Sequence, residues 1–171
     1  MTGLGSAPLP PVGPDDHVRG PEDAPLIVVY GDYECPFCAA LELRLRDVPL
    51  RVAFRHFPLR AGHPRARPAA HAAEAAATQD AFWPMHDALF ADQAHLEDPH
   101  LWARAEALGL DIARFEADRR SPEVAARVDA AFRSGLRAGV PTTPTLFVGG
   151  ELHAGRPDGA LWERLAGLAA R

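Results

Sequence analysis

The stretch LIVVYGDYECPFCAALELRLRD, residues 26–47, constrains the fold more than any other part of the sequence. A continuous β-branched and apolar run, LIVVYG from Leu26 to Gly31, has the composition of a strand buried on both faces. It leads into Cys35-Pro36-Phe37-Cys38. From Pro36 onward the pattern CAALELRLRD places Leu41 and Leu45 on one face of an amphipathic helix that ends by Pro49. Proline suits the first helical position, because the N–H it lacks would have no partner there. The expectation is a buried strand, a short turn, and a helix whose first turn carries the only two cysteines of the chain.

The remaining elements follow from pattern. RVAFRHF, residues 51–57, alternates as a second strand. From His63 to about Ala138 the chain turns alanine-rich, with breaks at Thr78-Gln79-Asp80, Asp98-Pro99, Gly109 and Ser121-Pro122 that predict about four helices. The clearest is SPEVAARVDAAFRSGLRAG, with Ser121 as N-cap and Pro122 at the first helical position. Pro68 and Pro84 each require either a first-turn position or a kink. TLFVGG and ELHAG, residues 145–155, predict a hairpin, and GALWERLAGLAAR a final helix with Leu161, Leu165 and Leu168 on one face. Residues 1–16, with Pro8, Pro10, Pro11 and Pro14 among Gly and Ser, carry too little apolar area to offset ordering and are expected to be a flexible tail. One α/β domain is expected over 17–171, with its core in 17–61 and 139–171 and a helical insertion over about 62–138.

Composition narrows the chemistry. A length of 171 residues, 47% of them hydrophobic, suits one compact domain. No apolar run approaches a membrane span, so no membrane partner is expected. The N-terminus lacks the basic and apolar regions of an export signal, so the expected location is cytoplasmic, where thiols stay reduced and close cysteines are more often catalytic or metal-binding than structural. A net charge of −5 without a basic patch argues against nucleic acid. All 18 basic residues are arginine, which excludes lysine Schiff-base chemistry and a phosphate-binding loop lysine.

At a helix N-terminus the unpaired N–H groups and the positive end of the helix dipole stabilise a thiolate, so Cys35 is the expected nucleophile, with a pKa of roughly 5 to 7. Cys38, one turn later and deeper, is expected to have the higher pKa and to resolve a mixed disulfide. Glu42, four residues beyond Cys38, is a candidate proton relay for that thiol, although glutamate in an amphipathic helix more often faces water. Asp32 and Glu34 either raise the thiolate pKa by like charge or simply face solvent. Phe37 is expected to be exposed as part of an apolar contact for a peptide; Phe82 and Trp83 are expected to pack in the core. A zinc site would have to use Cys35, Cys38, His56 and His63, and no second closely spaced ligand pair exists, so no metal is expected.

Four segments, YGDYECPFC, FRHFPL, FWPMHDALFADQ and GVPTTPTLFVGG, together resemble the DsbA-like branch of the thioredoxin superfamily over about residues 17–170. The resemblance implies a thioredoxin fold whose βαβ and ββα halves are separated by a helical insertion. It implies thiol-disulfide oxidoreductase activity, acting on protein or peptide thiols and disulfides; no cofactor is expected, and the sequence does not identify the redox partner, whether glutathione or a thioredoxin-type system. It also implies a cis-proline at Pro144, preceded by Thr143, beside the cysteine pair and forming the substrate-binding surface with Phe37. The chain departs from the strongly oxidising members in its central dipeptide, Pro36-Phe37, where those carry a histidine second. The expected potential is therefore intermediate, roughly −240 to −170 mV, that of a reductase or isomerase more than an oxidase. The alternative is a redox-sensing or peptide-binding module without turnover.

Overall fold

The computed structural model describes residues 7–170. In chain order the elements are β1 (His17–Arg19), β2 (Leu26–Gly31), α1 (Pro36–Leu45), β3 (Arg51–His56), α2 (Ala66–Ala77), α3 (Phe82–Ala91), α4 (Asp98–Ala107), α5 (Ile112–Arg119), α6 (Pro122–Arg137), β4 (Thr145–Val148), β5 (Glu151–Ala154) and α7 (Gly159–Ala169). The strands form one sheet in the order β1-β3-β2-β4-β5. β2 and β3 run parallel and every other pair is antiparallel. The βαβ half, β2-α1-β3, and the ββα half, β4-β5-α7, thus meet at the β2/β4 pair. This is the thioredoxin fold with a helical insertion.

Both sheet faces are covered, which is why the central strands read as continuous apolar runs. Ile27, Val29, Val52, Phe54, Leu146 and Val148 pack on α1, the insertion helices α2 and α3, and α7. Val28, Tyr30, Ala53, Phe57 and Phe147 pack on α6 and the N-terminal segment. In α2, Ala69, Ala70, Ala72, Ala73, Ala75 and Ala76 are all buried, and their small side chains let neighbouring helices come close. Gly135 does the same for α6: a Cβ there would lie 2.6 Å from the Phe57 ring.

Three expectations change. The insertion holds five helices rather than about four, because the four breaks divide it into five segments and each forms its own helix, including the short α5, which follows Gly109 (φ 72°) and starts where the Asp111 side chain accepts from Arg114 N. β1 is a three-residue strand without alternation, defined by its pairing to β3 (His17 opposite Phe54) rather than by its own sequence. Residues 7–16 are not a free tail. The Arg55 guanidinium donates to the carbonyls of Pro10 and Pro11 and to both oxygens of Asp16, and Leu9 and Val12 pack against the second core cluster. Residues 1–6, also expected to be flexible, lie outside the described residues. Pro68 and Pro84 are each the third residue of their helices, in first turns where an N–H has no intrahelical acceptor.

Candidate active site

Cys35 is the N-cap of α1 (φ −76°, ψ 116°), with Pro36 as the first helical residue. Its N–H donates to Asp32 O (3.1 Å), and its carbonyl accepts from the N–H groups of Cys38 and Ala39. Both cysteines are free thiols, Cys35 3% and Cys38 1% exposed. The strand sequence brings a remote loop against them. Thr143 carbonyl O lies 3.4 Å from Cys35 Sγ, and the Thr143-Pro144 peptide is cis. Thr143 is buried, with no hydrogen-bond partner for its hydroxyl among the described residues, while Phe37, between the cysteines, is 50% exposed.

This geometry separates the two thiols. A hydrogen bond from Cys38 is the main influence on Cys35; burial opposes it, and Thr143 with the N–H groups of Cys38 and Phe37 adds to it, so the Cys35 pKa falls from the ordinary 9.0 to about 6. That value lies inside the range expected from sequence. Burial, reinforced by the hydrogen bond and charge of Cys35, pushes the Cys38 thiol well up. One thiol is ready to attack while its neighbour holds its proton.

The acids near the turn have structural partners. Asp32 is 1% exposed and accepts from the N–H groups of Glu34 and Leu59 and from His63 Nδ1, each at 2.8 Å. Glu34 Oε2 accepts from Arg65 N (2.5 Å) and Ala66 N (2.7 Å), serving the start of α2 in place of a side-chain cap. These two carboxylates pin the segment after β3 to the cysteine turn. Burial draws the His63 pKa down, but the hydrogen bond and charge of Asp32 and the charges of Glu34 and Cys35 raise it overall.

Glu42 does not face water. It is 2% exposed, with Oε2 2.8 Å from Arg19 Nη2 and 3.1 Å from His86 Nε2. His86 Nδ1 in turn lies 3.0 Å from the Tyr33 hydroxyl. Burial, then the charges of Glu74 and Glu42, push the Tyr33 pKa well up, so Tyr33 stays protonated and its hydroxyl shares a hydrogen bond with His86 Nδ1. Arg19 also binds Asp87 and sits over the Trp83 ring. Phe82 stacks on His17 and is buried; Trp83 packs at the core edge, as expected for both.

Sequence reasoning missed Arg19, Tyr33, His86 and Gln93 at this site. His86 and Gln93 lie in FWPMHDALFADQ; Gln93 carried no assigned role, and His86, expected to be solvated or capping from the usual exposure of histidine, is instead fully buried. The four conceivable zinc ligands do not converge, since His56 is bound to Glu74 and His63 to Asp32. Among the described residues no three His, Cys, Asp or Glu side chains are grouped to hold a metal ion.

The thioredoxin family model Thioredoxin_4 matches residues 13–165. Among curated proteins, the chain is 48% identical over 156 residues to the Na(+)/H(+) antiporter NhaA 1 of Salinispora arenicola, covering 85% of this chain and 23% of that protein. It is 44% identical over 162 residues to NhaA 1 of Mycolicibacterium gilvum, covering 89% and 26%. The chain thus spans about a quarter of the length of these relatives. Among solved structures, a thioredoxin-like oxidoreductase from Silicibacter pomeroyi superposes with a TM-score of 0.80 at 23% identity, covering 92% of this chain and 94% of that one. BdbD from Bacillus subtilis gives 0.75 at 20% identity over 92% and 94%, and alpha-DsbA2 from Wolbachia pipientis 0.74 at 21% over 88% and 86%. With a family match over nearly the whole chain, a CPFC turn at a helix N-terminus and a cis-proline loop beside it, the chain belongs to the thioredoxin family and has the fold of its DsbA-like branch.

Proposed function

We propose that the chain is a protein thiol-disulfide oxidoreductase that cycles Cys35 and Cys38 between dithiol and disulfide. The observation that carries this reading is the placement of the two thiols: Cys35 at the N-cap of α1 with Thr143 O 3.4 Å from its sulfur, and Cys38 one turn on and buried, an arrangement that lowers the Cys35 pKa to about 6 and raises that of Cys38. The Cys35 thiolate attacks one sulfur of a substrate disulfide; that bond breaks and the other substrate sulfur leaves as a thiolate, which takes a proton from water. Cys38 then gives up its proton and attacks the Cys35 sulfur. The mixed disulfide breaks, the second substrate thiolate leaves, and the Cys35-Cys38 disulfide forms. The substrate gains the two electrons that the dithiol loses, and the same steps reverse for oxidation. Glu42, one turn beyond Cys38 with an unpartnered buried Oε1, is the proposed acceptor for the Cys38 proton. Exposed Phe37 and the Thr143-Pro144 loop form the proposed substrate contact.

The direction we propose is reduction or isomerisation, at a potential of about −240 to −170 mV, in a reducing compartment such as the cytosol and with glutathione or a thioredoxin-type system as electron partner. Equilibration of the protein with glutathione buffers and catalysed insulin reduction test this together. A potential in that range and turnover lost in Cys35→Ser are expected. A potential near that of a strong oxidase would overturn the direction, and an active Cys35→Ser the whole reading. A normal couple without turnover on any disulfide would favour the sensing module instead.

The relatives named as antiporters support one refinement of the substrate. We propose that the thiols served belong to a sodium/proton antiporter held close to this domain, although among the described residues no helix is long and apolar enough to cross a membrane. Cys38→Ser protein mixed with antiporter-containing membranes is expected to capture the antiporter in a reductant-sensitive adduct. Failure to do so would remove this refinement and leave the oxidoreductase reading untouched.

A further inference from the structure

Gln93 lies in the segment between α3 and α4, yet its side chain reaches the turn that carries Cys35. Its Nε2 donates to two backbone carbonyls at once, Tyr33 O at 2.8 Å and Cys35 O at 2.9 Å. A primary amide has two N–H donors, and both are used here. The two carbonyls belong to the residues on either side of Glu34, and the Cys35 carbonyl also accepts from the N–H groups of Cys38 and Ala39, so the amide grips the turn from which the Cys35 side chain projects.

The segment that presents Gln93 is itself held by cations. Arg104 of α4 donates to the carbonyls of Ala88 (3.2 Å), Asp92 (2.7 Å), His95 (2.6 Å) and His100 (3.2 Å), bracketing Gln93 on both sides. Arg65, at the start of α2, donates to Leu96 O at 3.2 and 3.0 Å, and the Leu96 side chain is buried. A surface loop does not need this many clamps. Their effect is to fix one amide group at the redox turn.

We infer that Gln93 is a positioning residue for Cys35: by binding the Tyr33 and Cys35 carbonyls it holds the turn in place, and with it the contacts that favour the negatively charged sulfur, tying the reactive thiol to the helical insertion. This rests on the oxidoreductase reading, since it gives Gln93 a part in the same thiol chemistry. Without the amide the turn loses this anchor, the sulfur is held less firmly against Cys38, Thr143 and the Phe37 N–H that favour its charged form, and the thiolate becomes harder to form. A residue that merely locked a loop would change stability and leave Cys35 ionisation alone.

The test is a pH titration of thiolate absorbance in the reduced protein with Gln93→Met, which has similar length but no donor, and with Gln93→Glu, which replaces donors by a carboxylate. Gln79→Met serves as control, because Gln79 also clamps an insertion loop, through the N–H and C=O of Asp111, but makes no contact with the cysteine turn. For both Gln93 variants the thiolate fraction at pH 6 is expected to fall about threefold or more, and the equilibrium with glutathione to move towards the disulfide form. Gln79→Met should leave both unchanged. Folded Gln93 variants, verified by far-UV circular dichroism, that titrate like the wild type would overturn the inference; if Gln93→Met does not fold, the uncharged Gln93→Leu takes its place, because the carboxylate of Gln93→Glu by itself opposes the thiolate. Wild-type protein that fails to reduce insulin would count against the oxidoreductase reading, whereas the titration judges Gln93 independently.

Discussion

Replacing Cys35 by serine should change how stability depends on pH, and the size of the effect follows from the site. In the folded dithiol Cys35 ionises at about 6, against an ordinary value of 9.0 that the unfolded chain would show. A folded pKa below the unfolded one contributes stability that is fully present above about pH 9 and is lost as pH falls through about 6. A difference of about three pH units is worth roughly 4 kcal/mol at its limit; it amounts to about 1.4 kcal/mol at pH 7 and roughly 2.7 kcal/mol at pH 8, and is nearly absent at pH 5. His63 acts the other way. Its raised pKa contributes stability below the unfolded value that is lost as pH rises through the folded one. Comparison of two proteins that both keep His63 largely cancels this contribution. Urea unfolding under reductant, followed by tryptophan fluorescence at pH 5 and pH 8, should show reduced wild type gaining about 2 to 3 kcal/mol relative to Cys35→Ser between the two pH values. Parallel pH dependences would mean that the thiolate is not stabilised by the fold, and the reasoning would be refuted.

Other perturbations read the surrounding structure. Glu42→Ala leaves Arg19 and His86 facing a vacated buried site and should cost about 3 kcal/mol in unfolding free energy; an unchanged urea midpoint would contradict the buried hub. Gly135→Ala and Gly167→Ala should differ in sign. At Gly135 the new Cβ meets the Phe57 ring at 2.6 Å and overpacking of about 1 to 3 kcal/mol outweighs the gain in helix propensity. Gly167, in α7 with open space, should become more stable by about 0.5 to 1 kcal/mol, read as a rise in the melting temperature. Arg55→Gln should release the N-terminal segment, increasing amide exchange of residues 12–18 about tenfold; unchanged protection would mean that the arginine does not anchor it.

The elements legible in the sequence were those whose cause is local. Cys35, Pro36 and Cys38 fix a strand end and a helix start by themselves, and the alternation of Val52, Phe54 and His56 identifies β3 without reference to any partner. Pro144 was legible through its resemblance to a known pattern, and its loop does meet Cys35. What could not be read depends on distant partners. Glu42 looks like a surface residue until Arg19 and His86, 23 positions before it and 44 after, are seen to converge on it. β1 exists only because β3 offers an edge, and residues 7–16 are held by an arginine far along the chain. Asp32 and Glu34 show the same limit. Their proximity to Cys35 suggested an electrostatic role, whereas their hydrogen bonds join the cysteine turn to residues 59–66.

The division of labour between the two thiols is tested most directly by trapping. Reduced Cys38→Ser and Cys35→Ser proteins are each incubated at pH 7 with a disulfide-bonded protein such as insulin, quenched by alkylation and analysed by mass spectrometry without reductant. With Cys35 as the low-pKa nucleophile and Cys38 as the buried resolving thiol, Cys38→Ser should accumulate a covalent adduct through Cys35 that dithiothreitol releases, and Cys35→Ser should form none. Adducts through Cys38 in Cys35→Ser, or their absence from Cys38→Ser, would contradict the assignment.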